Sequence, residues 1–262
     1  MKHIKGILFD LDGVFYVGNT LIPGGNETLA RLRNHGIDYR FVTNNTTLSR
    51  SALTVKLRGL GLHIKEEELL SANYAGVLQL RKLGLNRCRL VLRPEAQADY
   101  PPSVLDKPEA IVIGDIGNSW DYDLLDSLMN QLLDGAELIA LHKGRYFQTN
   151  DGLRLDSGAF VAALEHATGK KAHVVGKPHA AFFELGSAQL DASPDEMLMV
   201  GDDLINDIEG AQGVGYHAVL VQTGKYRQDL LEQSPISPNG IISSVAGLPD
   251  YLSCLEREYN KK

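Results

Sequence analysis

The stretch ILFDLDG at residues 7–13 decides how this chain is interpreted. Its apolar residues 7–9 predict a short buried strand, and Gly13 marks a sharp turn. Asp10 and Asp12 therefore lie at the carboxyl end of a strand, where open α/β sheets bind their ligands. Burying two like charges together is costly unless a cation or a proton compensates them. By itself the tetrapeptide 10–13 is equally consistent with an ordinary acidic turn. A calcium loop fits poorly, because Val14 and Phe15 stand where that motif needs an oxygen ligand and a glycine.

Composition predicts a globular protein of one large domain or two. The chain has 262 residues, of which 44% are hydrophobic and 23% charged. Its net charge of −7 argues against a nucleic-acid or an anionic-membrane surface. Cys88 and Cys254 match no metal-ligand spacing and predict reduced thiols. No signal-peptide pattern or long apolar stretch is present, so we expect a soluble cytoplasmic protein without nucleic-acid or membrane partners.

Strand-like and helix-like segments alternate along much of the chain, which predicts a parallel sheet flanked by helices. Four predicted strands, at 7–9, 40–42, 172–175 and 197–200, end in small or polar residues. A further strand is predicted at 217–221, and helices are predicted at 180–190 and 207–212. The repeated polar strand ends indicate a shared ligand site at one edge of the sheet.

The middle of the chain has a different pattern. Prolines at 94, 101, 102 and 108 predict irregular structure or a domain transition within residues 88–110. Beyond them we predict strands at 110–113, 138–141 and 146–147, a helix with an apolar stripe over 124–133, and a helix at 158–168. The sequence therefore predicts a discontinuous larger domain, 1–79 and 172–262, interrupted by a smaller α/β domain at 80–171.

The strand ends place several acidic side chains in one predicted crevice. These carboxylates belong to Asp10, Asp12, Asp202, Asp203 and Asp207. One lysine, Lys177, cannot balance that much negative charge. We therefore expect a hard divalent cation with oxygen ligands, and Mg²⁺ suits such a site.

The same edge carries donors for a phosphoryl group. Thr43, Asn44 and Asn45 follow a predicted strand and can hold phosphoryl oxygens. A carboxylate that faces a phosphoryl group is placed as a nucleophile, and a second carboxyl two residues on can act as acid and base. The Asp-x-Asp spacing supplies both groups on one turn, and Lys177 offsets charge on the nucleophile and the phosphate.

Each motif also has an ordinary structural explanation when it is taken alone. Residues 43–47 suit a polar turn, Lys177 suits a solvated surface, and residues 201–203 suit the start of a helix. Other known motifs are missing from the sequence. No Gly-Lys pair has the spacing of a P-loop, Gly213-Val214-Gly215 follows a helix rather than a strand, and no zinc-binding histidine pattern occurs.

In order and spacing, the motifs resemble those of the haloacid dehalogenase (HAD) superfamily phosphatases. The matching stretches are Asp10-x-Asp12-Gly13-Val14, Thr43-Asn44-Asn45, Gly176-Lys177-Pro178 and Gly201-Asp202-Asp203-x3-Asp207. The chain is similar to the branch with a large class II (NagD-type) cap between the second and third motifs, and the runs 140–146 and 151–153 indicate one subgroup of it. The resemblance implies a Rossmann-like α/β core with an inserted smaller α/β cap.

The resemblance also implies a role for each matching residue. Asp10 is then the nucleophile and Asp12 the acid and base. Mg²⁺ is held by Asp10, the main-chain carbonyl of Asp12 and Asp202, with Asp203 and Asp207 as supporting or water-mediated partners. The residues implied to bind the substrate are Asp12, Gly13, Thr43, Asn44, Asn45 and Lys177.

Substrate choice is expected to lie in the insert, since every motif of the core serves the phosphoryl group common to all substrates. His142, Lys143 and Arg145 form the densest cationic cluster of the insert, and we predict that they contact the substrate. A solvated basic loop is the alternative for each of them. The resemblance further implies a homodimer formed through the cap.

The sequence as a whole predicts a magnesium-dependent phosphatase that acts on a small phosphorylated molecule through an aspartyl-phosphate. The resemblance implies a phosphoric monoester, a phosphoamide or a pyrophosphate as the substrate class. A phosphotransferase or mutase on the same scaffold stays open as an alternative. So does a phospho-acceptor signalling module, although Asp12 and the long insert argue against it. A binding protein with a decayed site is disfavoured, because no expected catalytic position is missing.

Overall fold

A computed structural model of the protein describes residues 3–149 and 152–259. Asp151, part of the run 151–153, lies outside the described residues. The described strands, β1 to β14 in chain order, are Gly6–Phe9, Tyr16–Val17, Thr20–Leu21, Asp38–Thr43, Leu69–Ser71, Cys88–Val91, Ala110–Ile113, Glu137–Ala140, Tyr146–Thr149, Gly152–Leu155, His173–Val174, Met197–Gly201, His217–Val221 and Gly240–Ile242. The described α-helices, α1 to α9, are Gly25–Asn34, Arg50–Gly59, Ala72–Leu83, Tyr122–Leu133, Ser157–Thr168, Ala180–Ser187, Gly210–Gly213, Gln228–Gln233 and Leu248–Tyr259.

The chain forms two compact units. The first comprises residues up to Thr43, Thr54–Leu70 and the chain from Lys177 onward, and the second comprises Asn44–Leu53 and Ser71–Gly176. The predicted insert, 80–171, lies within the second unit, which also takes in 44–53, 71–79 and 172–176. The assignment of the two units as a core and a cap stays a prediction.

Hydrogen bonds explain why the second unit includes residues that the sequence places in the larger domain. The main-chain N–H of Asn73 donates to the carbonyl of Asn45 over 3.2 Å. The N–H of Arg50 donates to Oδ2 of Asp99 over 2.6 Å, and the Tyr100 hydroxyl donates to the carbonyl of Asn73 over 2.6 Å. Polar contacts of this kind leave no periodic apolar signal in the sequence.

The first unit is built on a six-stranded sheet with the order β14-β13-β12-β1-β4-β5. β1 lies between β12 and β4 and pairs with both in parallel. β12 pairs with β13 and β13 with β14, again in parallel. All residues of β1, β12 and β13 are buried, as expected for parallel strands covered on both faces. The predicted α/β class with a parallel sheet is therefore confirmed.

An aromatic cluster fixes the turn that follows β1. The ring of Phe15 lies edge-on to those of Phe9 and Phe41, with centroids 5.2 Å and 5.3 Å apart. Phe15 and Leu11 have no exposed surface. Because both apolar neighbours of the Asp10–Gly13 turn are packed into the core, the backbone that carries the two carboxylates is held in place.

The second unit contains a four-stranded sheet with the order β11-β8-β7-β6, in which neighbouring strands are parallel. Helices α4 and α5 contribute Leu128, Leu132, Val161 and Leu164 to its apolar core. β9 and β10 form a separate antiparallel hairpin.

Several predicted boundaries in this unit and the first need correction. Residues 88–110 are not irregular throughout, because Cys88–Val91 pairs with β7 as a parallel strand. Leu133 ends the predicted apolar stripe but is 58% exposed. The helix predicted at 180–190 ends at Ser187. The segment predicted as a helix at 207–212 is a π-helical turn, Leu204–Glu209, followed by α7.

Among the described helices, none is long and apolar enough to cross a membrane.

Candidate active site

Asp10 and Asp12 differ in exposure although they share one turn. Asp10 follows β1, is 7% exposed, and donates its main-chain N–H to the carbonyl of Val200 over 2.9 Å. Asp12 has an exposed side chain. Gly13 has a φ of +82°, and its N–H donates to the carbonyl of Tyr16 over 2.7 Å, which closes the turn. One carboxylate is therefore buried next to the sheet, while the other faces outward.

Lys177 joins two of the buried carboxylates. Its Nζ lies 2.7 Å from Oδ1 of Asp10 and 2.6 Å from Oδ1 of Asp207, and its side chain is 3% exposed. Burial favours the neutral amine, but the two carboxylates outweigh it and raise the pKa of Lys177. The lysine is therefore charged and holds Asp10 in a fixed position.

The acidic residues that follow β12 have separate tasks. Asp203 caps the π-helical turn, since its Oδ1 accepts the N–H groups of Ile205 and Asn206. Oδ2 of Asp207 accepts the N–H groups of Asp202 over 3.2 Å and of Asp203 over 3.1 Å. Asp207 thus braces the turn from within and leaves Asp202 turned toward Asp10.

The three buried carboxylates form a site that fits a cation. Oxygen atoms of Asp10, Asp202 and Asp207 lie within 4.8 Å of one another. Oδ1 of Asp202 is buried and has no hydrogen-bond partner in the part of the chain that the structure describes. Lys177 is the only buried lysine or arginine among the described residues. Three carboxylates with one buried lysine leave a net negative charge, which an oxygen-binding divalent cation would neutralise.

The pKa values of Asp202 and Asp207 reflect the same excess of negative charge. When only the charges of the protein act on it, burial and the charges of Asp10 and Asp207 raise the pKa of Asp202 to about 8. Burial and the charge of Asp10 likewise raise the pKa of Asp207 to about 7, against the opposing effect of Lys177. Carboxyl groups with such pKa values take up protons near neutral pH unless a cation replaces those protons.

The electrostatic surroundings of Asp12 suit proton transfer. Partial loss of hydration and the charge of Asp10 raise the pKa of Asp12, and Lys225 and Lys56 oppose that shift. A carboxyl with a raised pKa stays protonated at a higher pH than an ordinary aspartate, so it can still donate a proton to a leaving group there.

The loop after β13 contributes to this site and was not predicted. The N–H of Lys225 donates to Oδ2 of Asp202 over 2.7 Å, and its Nζ lies 3.0 Å from Oδ2 of Asp203. The available signal was the predicted strand at 217–221, which ends in Gln222-Thr223-Gly224-Lys225 at the same edge of the sheet as the other motifs.

The motif at 43–45 is divided between the two units. Thr43 ends β4 in the first unit and is 7% exposed. Asn44 and Asn45 begin the second unit's first segment. Oδ1 of Asn45 accepts the N–H groups of Thr47 over 3.2 Å and of Leu48 over 3.1 Å, so this side chain shapes the turn.

The cationic cluster of the insert is largely committed to contacts inside the second unit. Nε2 of His142 lies 2.8 Å from Oδ2 of Asp156, and Nζ of Lys143 lies 2.5 Å from Oε2 of Glu165. Arg145 is exposed, forms no ion pair with another described residue, and lies over the ring of Tyr146 at 5.7 Å. Of the three predicted substrate contacts, Arg145 is therefore the one that no carboxylate in the described part of the chain pairs with.

Comparisons with known proteins agree with this arrangement. The profile of the haloacid dehalogenase-like hydrolases matches residues 7–100, and a second, HAD-hydrolase-like profile matches residues 174–248. Haloacid dehalogenase-like hydrolase domain-containing protein 2 of Rattus norvegicus is 39% identical over 255 residues, 97% of this chain and 93% of the relative. Phospholysine phosphohistidine inorganic pyrophosphate phosphatase of Xenopus laevis is 34% identical over 256 residues, 95% of this chain and 94% of the relative.

Solved structures share the fold over nearly the whole chain. A p-nitrophenyl phosphatase from Archaeoglobus fulgidus superposes with a TM-score of 0.87 at 27% identity, covering 95% of this chain and 100% of that one. NagD from E. coli K-12 has a TM-score of 0.83, covers 94% and 98% of the two chains and, at 23% identity, shares the fold alone. The predicted class II branch is confirmed. The subgroup indicated by the runs 140–146 and 151–153 is also confirmed, and it is the one to which the two relatives from Rattus norvegicus and Xenopus laevis belong. The chain belongs to the haloacid dehalogenase-like hydrolases.

Proposed function

We propose that this HAD-type phosphohydrolase is a magnesium-dependent phosphatase that works through an aspartyl-phosphate on Asp10. The observation that carries the proposal is the buried arrangement of Asp10, Lys177 and Asp207 beside Asp202, whose Oδ1 has no partner among the described residues. A carboxylate nucleophile that is fixed by a lysine and lies beside a second carboxylate with an open oxygen for a cation is what phosphoryl transfer to an aspartate requires.

Asp10, Asp202 and the main-chain carbonyl of Asp12 are the groups proposed to hold Mg²⁺. When bound, the ion supplies positive charge that reduces repulsion between the carboxylate and the anionic phosphoryl group. Lys177, whose Nζ lies 2.7 Å from Oδ1 of Asp10, adds a second positive charge beside the nucleophile.

In the first step, an oxygen of Asp10 forms a bond to phosphorus, and the bond from phosphorus to the leaving atom breaks; that atom is oxygen in an ester or pyrophosphate and nitrogen in a phosphoamide. Asp12 gives its proton to the leaving atom, for which its raised pKa suits it. In the second step, Asp12 takes a proton from water as the water oxygen attacks phosphorus. The bond between phosphorus and Asp10 breaks, and inorganic phosphate and free Asp10 are released.

The proposed substrates are small phosphoric monoesters, phosphoamides and pyrophosphate. The names of the relatives support these three classes: one relative is named for phospholysine, phosphohistidine and inorganic pyrophosphate, and one structural neighbour for p-nitrophenyl phosphate. We further propose that Arg145 contributes to the choice among them.

The proposal is tested by measuring phosphate release from 4-nitrophenyl phosphate, pyrophosphate, phosphohistidine, phospholysine and sugar phosphates, each with Mg²⁺ and with a chelator. Steady release without an added acceptor would favour hydrolysis over phosphotransfer. A long-lived phosphoprotein without turnover would favour the signalling alternative. Activity that is undiminished in chelator would overturn the magnesium-dependent mechanism.

A further inference from the structure

The loop that follows β13 lies directly against the proposed metal ligand. The hydroxyl of Thr223 donates a short hydrogen bond to the carbonyl of Gly13. This contact ties the loop after β13 to the turn after β1, which carries Asp10 and Asp12. The two loops thus approach each other with the carboxylate of Asp202 beside them.

Two glycines make this close approach feasible. Gly13 has a φ of +82° and Gly224 a φ of +66°, both in the left-handed region that favours glycine. A Cβ on either residue would collide with the carboxylate of Asp202, and a Cβ on Gly224 would also lie 2.5 Å from the Cα of Gly13. The carboxylate of Asp202 is therefore packed against the main chain at Gly13 and at Gly224, and these contacts restrict its orientation.

The next residue engages both aspartates of the motif at once. The N–H of Lys225 donates to Oδ2 of Asp202 over 2.7 Å, while its Nζ lies 3.0 Å from Oδ2 of Asp203. One oxygen of Asp202 is thus held by the loop. The other, Oδ1, is buried without a partner among the described residues and is the oxygen presented to a cation.

We propose that residues 223–225, the positioning loop, orient Asp202 so that Oδ1 is preorganised for the divalent cation. This inference rests on the proposed function, and it assigns a task to Thr223, Gly224 and the N–H of Lys225 that the metal-binding motif itself does not include. Groups that orient a metal ligand commonly contribute about 10–100-fold to metal affinity.

The choice of variants follows from charge. Removing the Lys225 side chain would also remove a positive charge near the acidic cluster, which strengthens attraction for any cation and hides a loss of orientation. Uncharged changes avoid this problem. Gly224→Ala places a methyl group against Asp202, and Thr223→Val removes the hydroxyl that bonds to Gly13 while keeping the side-chain shape.

A matched control exists for the strain of an alanine in the left-handed region. Gly36 has a φ of +69°, almost the same as Gly224, and a Cβ there would meet nothing within 4 Å. Gly36→Ala therefore carries a similar backbone cost without touching Asp202. A loss shared by both alanine variants would come from backbone strain alone.

The experiment is a calorimetric titration of the full chain with Mg²⁺, at a temperature below the unfolding transition of each variant. We expect the Kd to rise about tenfold or more for Gly224→Ala and about threefold or more for Thr223→Val, with Gly36→Ala like the parent. The Thr223→Val variant keeps the test decisive if Gly224→Ala does not fold.

Variants that bind Mg²⁺ as tightly as the parent, or a Gly36→Ala variant that loses as much as Gly224→Ala, would overturn this inference and leave the proposed function intact. A parent chain that binds no Mg²⁺ would overturn the proposed function, and this inference with it.

Discussion

Acidic and basic side chains meet in both units, buried in the first and only partly buried in the second, and their charges are compensated in opposite ways. In the second unit, each carboxylate that contacts the cationic cluster has one basic partner, in the pairs His142–Asp156 and Lys143–Glu165. In the first unit, one buried lysine serves two carboxylates, and the third, Asp202, keeps an oxygen without a partner among the described residues. A one-to-one pair leaves no net charge, whereas an excess of buried negative charge requires a cation or protons from outside the chain.

This difference separates structural charge from functional charge without reference to any motif. Burial and neighbouring charges raise the pKa of Asp202, whereas in the second unit the pKa of Asp156 is lowered. For Asp156, burial works against ionisation, but hydrogen bonds and the charge of His142 outweigh it. The variants below test whether the two kinds of site behave as differently as their compensation implies.

The largest effect is expected for Asp10→Asn. The amide keeps the shape of the side chain but removes the anionic nucleophile, so turnover should fall by about a thousandfold or more. Phosphate release measured at saturating Mg²⁺ checks this. Asp38→Asn, at the exposed beginning of β4, is the matched control and should leave turnover unchanged. If Asp10→Asn stayed within about threefold of the parent while folded, covalent catalysis by Asp10 would be wrong.

Asp12→Ala should have an effect that depends on the leaving group. An alkyl phosphate needs its leaving oxygen protonated, so its first step should slow by about a hundredfold, whereas nitrophenyl phosphate should lose much less. Single-turnover kinetics are required, because only the first step reports on the proton donor. Equal losses on the two substrates would argue against Asp12 as the general acid.

Asp202→Asn should weaken Mg²⁺ binding and stabilise the folded protein in the absence of metal. Without its anionic oxygen, the Mg²⁺ concentration for half-maximal activity should rise about tenfold or more. The folded-state pKa of Asp202 is raised to about 8, so its contribution to the free energy of unfolding falls as pH rises from about 3.8 to 8. The asparagine variant carries no carboxyl at position 202, so its free energy of unfolding does not fall in this way as pH rises.

At pH 8 with chelator, Asp202→Asn should therefore unfold at a higher temperature than the parent, and added Mg²⁺ should reverse the order. Thermal denaturation followed by circular dichroism, with and without Mg²⁺, measures both. A variant less stable than the parent in chelator would mean that the negative charge of Asp202 is compensated within the protein.

Arg145→Ala tests the second unit for function. Since Arg145 pairs with no carboxylate of residues 3–149 and 152–259, we expect this variant to change relative efficiencies among phosphate esters by a few-fold and to leave Mg²⁺ dependence intact. Lys143→Ala and His142→Ala break pairs within the unit, and they should change substrate ranking less. If all three variants keep the parent's ranking, the cationic cluster takes no part in specificity.

The sequence was most informative about the buried parallel strands and about the polar residues that directly follow them. Residues 217–221 and 110–113 match the strands that were predicted there, because continuous β-branched and apolar runs are buried on both faces of parallel sheets. Asp10, Lys177 and Asp207 are brought together as their positions after strands suggested. The pairs of His142 and Lys143 were unpredictable, since their acidic partners lie on α5 and at its N-cap, outside the basic loop, and the sequence gives no spacing rule for such contacts.

The smallest effect, and the sharpest contrast with Asp202, is expected for Asp156→Asn. Asp156 caps α5 through Ser157 and pairs with His142, so its loss should lower the free energy of unfolding by about 1 kcal/mol at pH 7. Because the pKa of Asp156 is lowered in the folded state, its contribution is present above the unfolded pKa of 3.8 and is lost as pH falls below that value. Urea denaturation of parent and variant should therefore show the difference at pH 7 and pH 5, and show it shrinking toward pH 3. Asp134→Asn, on the C-cap residue of α4, is the control, since a charge there meets no helix N-terminus. A difference that grew on acidification would mean that Asp156, like Asp202, is a carboxylate that the fold leaves uncompensated.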